Sequence, residues 1–527
     1  MKFSSILAMG LLCVNSLYAQ KSPENWFNLN SKEAPGIGTE RAYQELLKGK
    51  TARKVIVAVI DSGVEPDHED LKSVMWSNPG EVAGNGKDDD GNGYVDDVHG
   101  WNFIGSAKGN VKEDNLEITR LYRKYKKKEE LKGKFTKEET AEWAKVKKDF
   151  EEKIEESSQQ YEFYQGLTTK ILAAVDGIKK KFGVSTLDLE TIKKVADDDK
   201  EFGEQKGMLM NIFKNSTEEE LREELKGAVG HFEAEVKYQY NLDFDPRGTV
   251  GDNYDDTKQK NYGSNEYEGP DAFHGTHVAG IIAADRNNNK GIKGVCNDCL
   301  IMTIRAVPDG DERDKDVANA IRYAVDNGAQ VVNMSFGKAF SWDKKVVDEA
   351  VKYAEKKGVL LVHAAGNDAL NKDVDKNFPN RNYKNNPAKQ SKTFMEIGAQ
   401  SWKPEGAASF SNYGKTTVDI FSPGVDIYST TPDGKYGYAS GTSMAAPVAA
   451  GAAGLLLSYF PDLTALQVKE ILMASSKKTS TDFVKPGTKD TKIKLSELCI
   501  TGGTVDIYEA IKLAEKTKGK RKNAARP

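Results

Sequence analysis

The sequence predicts an α/β fold with a mostly parallel sheet covered by helices on both faces, and two observations carry this prediction. Continuous β-branched and aliphatic runs, typical of strands buried on both faces, occur at residues 54–60, 300–307, 329–334, 359–363 and 394–399. Helical patterns alternate with these runs, and the patterns at 315–327 and 344–357 each end at a glycine, a common helix stop. Such alternation gives parallel sheets whose functional sites gather beyond the carboxyl ends of the strands.

Residues 107–245 form a second region of different composition. It contains no proline, Lys and Glu dominate, and two capping boxes, Thr136 with Glu139 and Ser216 with Glu219, precede helical patterns. Apolar side chains recur there at helical spacing: Leu116, Leu121, Tyr125, Leu167, Ile171, Val175, Ile178, Leu221, Leu225 and Phe232. We therefore predict a charged α-helical subdomain inserted into the α/β domain, with a disordered charged tether as the alternative.

The 527-residue chain has almost balanced charges, with a formal net charge of −4. Because it has no bulk field that attracts phosphate backbones, nucleic acid is not an expected partner. The length suits one α/β domain, residues 51–106 and 246–515, that carries the helical insertion, and two domains would also fit. An N-terminal extension (20–50) precedes this domain, and a basic tail (516–527), expected to be solvated and disordered, follows it.

The N-terminus predicts a secretory signal peptide over residues 1–19. Lys2 supplies the positive start, an apolar core follows, and Ala19 precedes a plausible cleavage point before Gln20. A membrane anchor is the alternative, but the core is shorter than the roughly 18–20 apolar residues that a span needs. Cys13 leaves a lipoprotein open. We expect an exported protein, periplasmic or extracellular, without a transmembrane span.

Three cysteines follow the signal peptide. Cys296 and Cys299 are spaced to close a small disulfide loop, which export permits, and three unlinked thiols are equally compatible with the sequence. Cys499 has no evident partner. No second Cys/His pair has the spacing of a zinc site.

Three segments fit one catalytic scheme. Asp61 directly follows a predicted buried strand, His274 begins the run His-Gly-Thr-His-Val-Ala-Gly, and Ser443 lies in Gly-Thr-Ser-Met-Ala-Ala-Pro ahead of a small, apolar helix. A serine hydroxyl attacks a peptide carbonyl only if a base removes its proton, and an imidazole titrates in the suitable range. A carboxylate would fix the imidazole tautomer. The Ser443 amide and Asn367, which follows another strand, would stabilise the oxyanion.

These three segments, in the order Asp, His, Ser, resemble those of the subtilisin-like (subtilase) peptidases. The resemblance covers about residues 50–105 and 265–480. The resemblance implies a three-layer α/β fold, hydrolysis of polypeptides through an acyl-enzyme and no organic cofactor. It implies Asp61, His274 and Ser443 as the catalytic triad and Asn367 as the oxyanion-hole side chain. It also implies that two segments pair with the substrate backbone: Ser335, Phe336 and Gly337, and Ala364, Ala365 and Gly366.

Two departures from that family stand out. The gap between Asp61 and His274 is much longer than in compact members, because the helical insertion lies there. The stretch from residue 20 to residue 50 is too short for a folding-assisting inhibitory prodomain, so removal of a large propeptide is not expected.

An acidic loop predicts a structural Ca²⁺ site. Oxygen ligands alternate as in the first nine positions of an EF-hand loop, with His99 at the twelfth position, so Asp97 or a distant carboxylate would complete the set. A metal-free acidic turn is the alternative. The predicted ligands are Asp88, Asp90, Asn92, Tyr94 (through its carbonyl) and Asp96.

Three functions remain compatible with these patterns. The first is an endopeptidase acting on extended polypeptides, the second is a binding or scaffolding module with this fold, and the third is a ligase or cyclase that passes the acyl group to an amine. The complete set of catalytic side chains favours the endopeptidase. We further hypothesise that the helical insertion is a gate or arm that docks substrate or a partner protein.

Overall fold

The structure, a computed structural model, describes residues 22–30, 34–403 and 406–521. The predicted signal peptide (1–19) and the last six residues of the tail lie outside the described residues. The chain divides into two compact units. One, called here the helical unit, comprises Ile118–Phe244, and the other, the α/β unit, comprises Ser22–Glu117 and the chain from Asp245 onward.

The α/β unit is built on a sheet of nine strands among the described residues. Its strands are β1 Val55–Asp61, β2 Gly100–Asn102, β3 Cys299–Arg305, β4 Val331–Met334, β5 Leu360–Ala364, β6 Phe394–Gln400, β7 Ile420–Pro423, β8 Lys477–Lys478 and β9 Gly503–Thr504. Their order across the sheet is β8-β9-β7-β6-β5-β4-β1-β3-β2. Every pair is parallel except β8 with β9, which confirms the mostly parallel sheet.

Helices cover both faces of this sheet. The α-helices of the α/β unit are Thr39–Glu45, Arg247–Val250, Phe273–Ala283, Asp314–Asp326, Lys344–Lys357, Thr442–Tyr459, Ala465–Ala474 and Ile507–Lys516. Two short 3-10 helices, Trp26–Asn28 and Leu495–Glu497, accompany them. Four two-stranded hairpins complete the unit: Gly105–Ser106 with Gly109–Asn110, Asn382–Tyr383 with Asn386–Gln390, Ile427–Thr431 with Lys435–Ala439, and Phe483–Val484 with Lys492–Ile493.

The alternation of side chains along β1 creates two cores. Val57 and Val59 pack on one face with the helices that contain residues 273–283 and 442–459, whereas Ala58 and Ile60 pack on the other face. That other face is covered by Asp314–Asp326 and Lys344–Lys357. The second of these helices ends at Gly358, as expected from the sequence, because glycine adopts the left-handed conformation there (φ 76°).

The helix Thr442–Tyr459 lies in the middle of the first core. Among the described residues it is the one helix long and apolar enough, by length and composition, to cross a membrane. However, 89% of it is buried inside the protein, where its small residues pack against the sheet. Its apolar character therefore has an explanation in the core of this fold.

Both ends of the α/β unit pack against the rest of the unit more extensively than the sequence predicted. Within the N-terminal extension, Trp26 and Phe27 are fully buried in the first core, and the Trp26 indole N–H donates to the Asp426 carbonyl (3.2 Å). At the other end, Gln467 bonds the backbone of Lys518 and Lys520 (2.9 and 3.0 Å), so the described part of the basic tail is packed rather than disordered.

The helical unit consists of α-helices joined by short loops, as predicted for the insertion. The helices are Glu117–Glu130, Lys137–Phe182, Leu189–Lys193, Gly203–Phe213 and Glu218–Ala234, with a π-helical turn at Glu235–Gln239. The longest has 46 residues and is therefore roughly 70 Å long. An aromatic cluster of Tyr122, Trp143 and Phe150 and a larger aliphatic core stabilise the unit.

Its details differ from the sequence prediction in two respects. The unit begins at residue 118 rather than 107, because Gly109–Asn110 pairs with Gly105–Ser106 in the α/β unit. The Thr136–Glu139 capping box is present, whereas the second box is Thr217 with Glu220, one residue later than predicted. The role of this unit as a gate or docking arm stays a prediction.

The cysteine alternatives are also decided by the fold. Cys296 and Cys299 form a disulfide, and both are fully buried in the first core. Cys499 is a buried free thiol, and burial raises its pKa.

Candidate active site

The predicted catalytic residues gather at the carboxyl edge of the sheet. Asp61 is the last residue of β1, and Ile60 is paired in register with Met334 of the neighbouring β4. Ser335, the next residue after β4, therefore lies beside Asp61, because adjacent strands are about 4.8 Å apart. The pairing of β1 with β4, which are distant in sequence, thus brings Asp61 and Ser335 together at this edge of the sheet.

Two glycines allow the chain to bring His274 to this edge. His274 is the second residue of the helix Phe273–Ala283. A Cβ atom on the following Gly275 would lie 2.0 Å from the Gly63 carbonyl oxygen, and one on Gly63 (φ 131°) would lie 1.8 Å from the Glu268 carbonyl. The turn after Asp61 and the start of this helix approach so closely that only glycine fits at either position.

Asp61 and His274 form a direct hydrogen bond. His274 Nδ1 lies 2.7 Å from Asp61 Oδ1, which also accepts the backbone N–H of Ser62 at 2.8 Å. The Asp61 side chain is 2% exposed and the His274 side chain 38%, so the imidazole is accessible while its acid is not. An ionised carboxylate accepts from Nδ1–H, which leaves Nε2 as the basic nitrogen.

The charge of Asp61 also changes the basicity of this imidazole. Burial by itself lowers the pKa of His274, but the attraction and hydrogen bond of Asp61, with a smaller contribution from Asp271, outweigh it. The pKa of His274 is therefore raised above its ordinary value of 6.5.

A second histidine of the same helix has a different environment. His277 is fully buried, and its Nε2 lies 3.1 Å from the Ile427 carbonyl and 3.2 Å from the Gly437 carbonyl. Burial lowers the pKa of His277 to about 4. These contacts attach the helix to the neighbouring hairpin.

Ser443 is the second residue of the helix Thr442–Tyr459, so its own backbone N–H belongs to the first turn, where no preceding turn supplies an acceptor. Four residues later, Pro447 has no N–H to donate to the Ser443 carbonyl. The Ser335 hydroxyl donates to that carbonyl instead (2.8 Å), and the Ser443 hydroxyl donates to the Ser335 carbonyl (3.1 Å). Two reciprocal bonds thus hold Ser443 at the carboxyl end of β4, beside Asp61.

The proton-transfer chain is only partly formed in this structure. The Asp61–His274 bond is present, whereas the Ser443 hydroxyl is directed at Ser335 and, among the described residues, makes no hydrogen bond to His274. Rotation about the Cα–Cβ bond of Ser443 redirects a hydroxyl without moving the backbone.

Asn367 lies next to Ser443 with its amide group available. Its Oδ1 accepts both the backbone N–H and the hydroxyl of Thr442, each at 2.9 Å. These two bonds orient the side chain, and the residue is exposed. Among the described residues, the Nδ2 group has no hydrogen-bond partner, so its N–H groups are available as donors.

The two predicted substrate segments differ in how much of their backbone is free. Ala365 and Gly366 are engaged within the protein, because their N–H groups donate to the Ile397 carbonyl (2.9 Å) and the Thr442 hydroxyl (3.0 Å). Ala364 is part of β5. In the other segment, the backbone groups of Phe336 and Gly337 have no protein partner among the described residues. Of the two segments, this one therefore has more backbone groups available for further hydrogen bonds.

The acidic loop contains the predicted Ca²⁺ ligands, and their carboxylates differ in what they contact. Asp88 accepts the backbone N–H groups of Asn92 and Gly93, and Asp96 accepts those of Asn85 and Gly86, so these two carboxylates are directed at the loop backbone. The Asn92 side-chain oxygen accepts the N–H of Tyr94. Of the predicted ligands, Asp90 is the one that joins a carboxylate cluster.

That cluster consists of Glu81, Asp90 and Asp97, whose ligand oxygens lie within 4.8 Å of one another. Three close carboxylates suit a hard cation such as Ca²⁺. Burial raises the pKa of Asp97 to about 6, with Asp90 adding to the shift and hydrogen bonds from Tyr323 opposing it. Glu81 was missed from the sequence because it lies outside the alternating motif and no local signal links it to that motif.

Comparisons with known proteins show the family to which the chain belongs. A model of the subtilase family (Peptidase S8) matches residues 52–492. The thermophilic serine proteinase of Bacillus sp. (strain AK1) is 42% identical over 196 residues, which are 37% of this chain and 45% of that protein. Thermitase of Thermoactinomyces vulgaris is 40% identical over 186 residues (35% of this chain, 61% of that protein), and subtilisin of Bacillus pumilus is 37% identical over 213 residues (40% and 72%). The chain therefore spans less than two thirds of the length of the first two of these relatives.

Proposed function

Because the chain belongs to the subtilase family of serine peptidases, we propose that it is an exported endopeptidase that hydrolyses polypeptides through an acyl-enzyme. The observation that carries this proposal is the 2.7 Å hydrogen bond between Asp61 and His274 at the sheet edge that also holds Ser443. A scaffolding protein has no need of an acid, a base, a nucleophile and an oriented amide at one edge. The N-terminal sequence, in which Lys2 is followed by a short apolar run, supports export.

In the proposed reaction, Asp61 holds His274 with Nε2 as the base. As a peptide carbonyl approaches, Ser443 Oγ attacks its carbon and transfers its proton to His274 Nε2, and the oxyanion forms opposite the Ser443 N–H and Asn367 Nδ2. The imidazolium then donates that proton to the leaving amine, which departs and leaves the acyl-enzyme. Water repeats the sequence on the ester, restoring Ser443 and releasing the acid.

Substrate binding offers a physical reason for the Ser443 hydroxyl to turn. The Ser335 carbonyl accepts from that hydroxyl in the structure. A peptide lying along the free backbone of Phe336 and Gly337 would bring its own N–H groups to this edge, and one of them would compete for the carbonyl. The displaced hydroxyl then has the basic Nε2 of His274 as its acceptor.

We also propose that Glu81, Asp90 and Asp97 hold a structural Ca²⁺. The support is the mutual proximity of their oxygens and the cost of gathering carboxylates without a counter-ion. In that role the ion neutralises the cluster and stabilises the loop, and the proposed chemistry at Ser443 does not involve it.

Labelling with a fluorophosphonate, combined with peptide hydrolysis, tests the proposed function. The wild-type protein should be labelled at Ser443, and the label should be found in the extracytoplasmic fraction of cells that make it. Ser443→Ala should abolish labelling and cleavage. The matched control is Ser458→Ala in the same helix, whose buried hydroxyl bonds the Leu455 carbonyl (2.8 Å) and which should keep both activities.

Two outcomes would contradict the proposal. Cleavage that persists in Ser443→Ala would remove Ser443 as the nucleophile, and a wild-type protein that is neither labelled nor active would favour the scaffolding function. Mass spectrometry of the products separates hydrolysis from acyl transfer, because only transfer joins the new acyl end to an amine.

A further inference from the structure

The free backbone of the substrate segment is suspended between two anchors. At one end, Ser335 is fixed by its reciprocal bonds to Ser443, and Asn333 donates to its hydroxyl at 2.9 Å. At the other end, Lys338 exchanges two backbone hydrogen bonds with Phe378, at 3.0 and 2.8 Å. Only Phe336, half-buried, and Gly337, exposed, lie between these anchors. The position of Lys338 therefore fixes where a two-residue edge can meet a peptide.

The side chain of Lys338 ends in a buried ionic cluster. It is 1% exposed, and its Nζ lies 2.5 Å from Glu117 Oε2 and 2.8 Å from Asp314 Oδ1. The same ammonium donates to the Glu312 carbonyl at 2.5 Å. A buried ammonium is tolerated only where anions and acceptors surround it, so these three partners define one position for the chain at residue 338.

The two acids are themselves held in place. Asp314 is the first residue of the helix Asp314–Asp326, where the helix dipole favours a negative charge. Its second oxygen accepts the Ser341 hydroxyl and the Asp343 N–H, both at 2.6 Å. Glu117 is anchored through its backbone, because its N–H donates to Asp311 Oδ2 at 2.7 Å.

Glu117 is also the last residue before the chain enters the helical unit. One ammonium group thus joins the point where the insertion leaves the α/β unit to the end of the substrate segment. Burial raises the pKa of the neighbouring Glu312 to about 8, with the ammonium of Lys338 opposing this shift. The carboxylates that contact the Lys338 ammonium directly are those of Glu117 and Asp314.

We propose that Lys338 is a positioning residue for substrate binding, which holds the Phe336–Gly337 edge in register for an extended peptide through its ion pairs with Glu117 and Asp314. The inference rests on the proposed function and goes beyond it, since it names what sets the geometry of the edge. Lys338 touches neither the triad nor the scissile bond. Its loss should therefore weaken the binding of long peptides and leave the chemical step intact.

The test compares substrates of different length. A tetrapeptide p-nitroanilide lies along the edge, whereas a p-nitrophenyl ester of a single amino acid does not reach it. In Lys338→Met, the KM for the tetrapeptide should rise about tenfold, equivalent to the loss of roughly one backbone hydrogen bond, with kcat and KM for the ester unchanged. Glu117→Gln keeps the shape and removes one charge, and should raise the same KM by about threefold.

Controls separate positioning from folding. Lys338→Met leaves two buried carboxylates without their cation, so the double variant Lys338→Met/Glu117→Gln, which removes one of those charges, is measured as well. The matched control is Asp114→Asn. Asp114 pairs with Arg313 (2.7 Å) close to the point where the insertion leaves the α/β unit, and it is also buried, at 4% exposure. It should lower the melting temperature without changing the ratio of kcat/KM for the two substrates.

The inference is overturned if Glu117→Gln and the double variant leave that ratio unchanged, or if Asp114→Asn changes it equally. Binding of the tetrapeptide amide to the Ser443→Ala protein, measured by calorimetry, gives an independent readout. If the wild-type protein hydrolyses neither substrate, the proposed function fails. The calorimetric difference between the Ser443→Ala protein and the same protein carrying Lys338→Met then still decides the inference.

Discussion

The Asp61→Asn substitution tests the electrostatic role of the buried acid. The Ser62 N–H donates to the same Asp61 oxygen that bonds His274, so the asparagine oxygen should keep its place and the imidazole its tautomer. What the substitution removes is the negative charge next to the imidazole. The substitution therefore tests the charge of Asp61 separately from the geometry of its hydrogen bond to His274.

The expected loss follows from the contact distance. With 2.7 Å between Nδ1 and Oδ1, the centres of the two charges are ~4 Å apart, and at an effective dielectric constant of ~20 their attraction is about 4 kcal/mol. This attraction exists only after His274 has taken the proton, as it does in the transition state. Each ~1.4 kcal/mol corresponds to a factor of ten, so kcat should fall roughly 10³-fold.

The pH profile of kcat/KM provides the second readout. His274 must be neutral to act as the base, so activity is lost as the pH falls through its pKa. Asp61 raises that pKa, and its neutralisation should therefore shift the acid limb to lower pH while the plateau falls. Asp271→Asn is the control, because Asp271 is exposed and contributes least to the raised pKa, and it should move the limb slightly without lowering the plateau.

Hydrolysis of a single-residue ester between pH 5 and 10 measures both quantities. A plateau within tenfold of the wild-type value, or an acid limb displaced to higher pH, would refute the role assigned to the carboxylate.

Two further predictions concern the oxyanion and the proposed metal site. Asn367→Leu removes the amide beside Ser443, so kcat should fall by a factor of about 10²–10³ with KM little changed. Steady-state kinetics that show an equal change in kcat and KM would contradict the role of Asn367 as an oxyanion donor. A chelator should lower the melting temperature by several degrees, because a site with free Ca²⁺ at ~100 times its Kd contributes about 2.7 kcal/mol to stability. The Asp90→Asn protein should be less stable and its melting temperature should respond less to the chelator. An undiminished response would show that Asp90 is not part of the site.

Much of the architecture could be predicted from local patterns. Strands such as Val55–Asp61 and Phe394–Gln400 were anticipated within one or two residues, because strands buried on both faces are continuously apolar. Helix ends at Gly358 and the Thr136–Glu139 cap are equally local, since they depend on backbone groups within a few residues. The second cap was displaced by one residue because Ser216 and Thr217 are adjacent and both suit that position.

The carboxylate cluster shows where local patterns stop being informative. The sequence spacing predicted Asp88 and Asp96 as ligands, and in the structure both carboxylates accept backbone N–H groups of the loop. Asp90 and Glu81, which belong to the cluster, accept such groups as well. Short acidic side chains commonly satisfy nearby N–H groups in turns, and this competition cannot be read from spacing. Glu81 enters the cluster from outside the motif.

By itself, the sequence determined which chemical groups this protein carries and the order in which they occur: an acid after a buried strand, a histidine and a serine at helix starts, and an asparagine after another strand. Only the tertiary structure decided that Asp61 lies beside Ser335, that the Ser443 hydroxyl is directed at Ser335, and that Lys338 pairs with Glu117. The physical reason is that strand pairing and ion-pair formation act between groups that are close in space. The contacts from Asp61 to His274 and from Glu117 to Lys338 each join residues more than 200 positions apart.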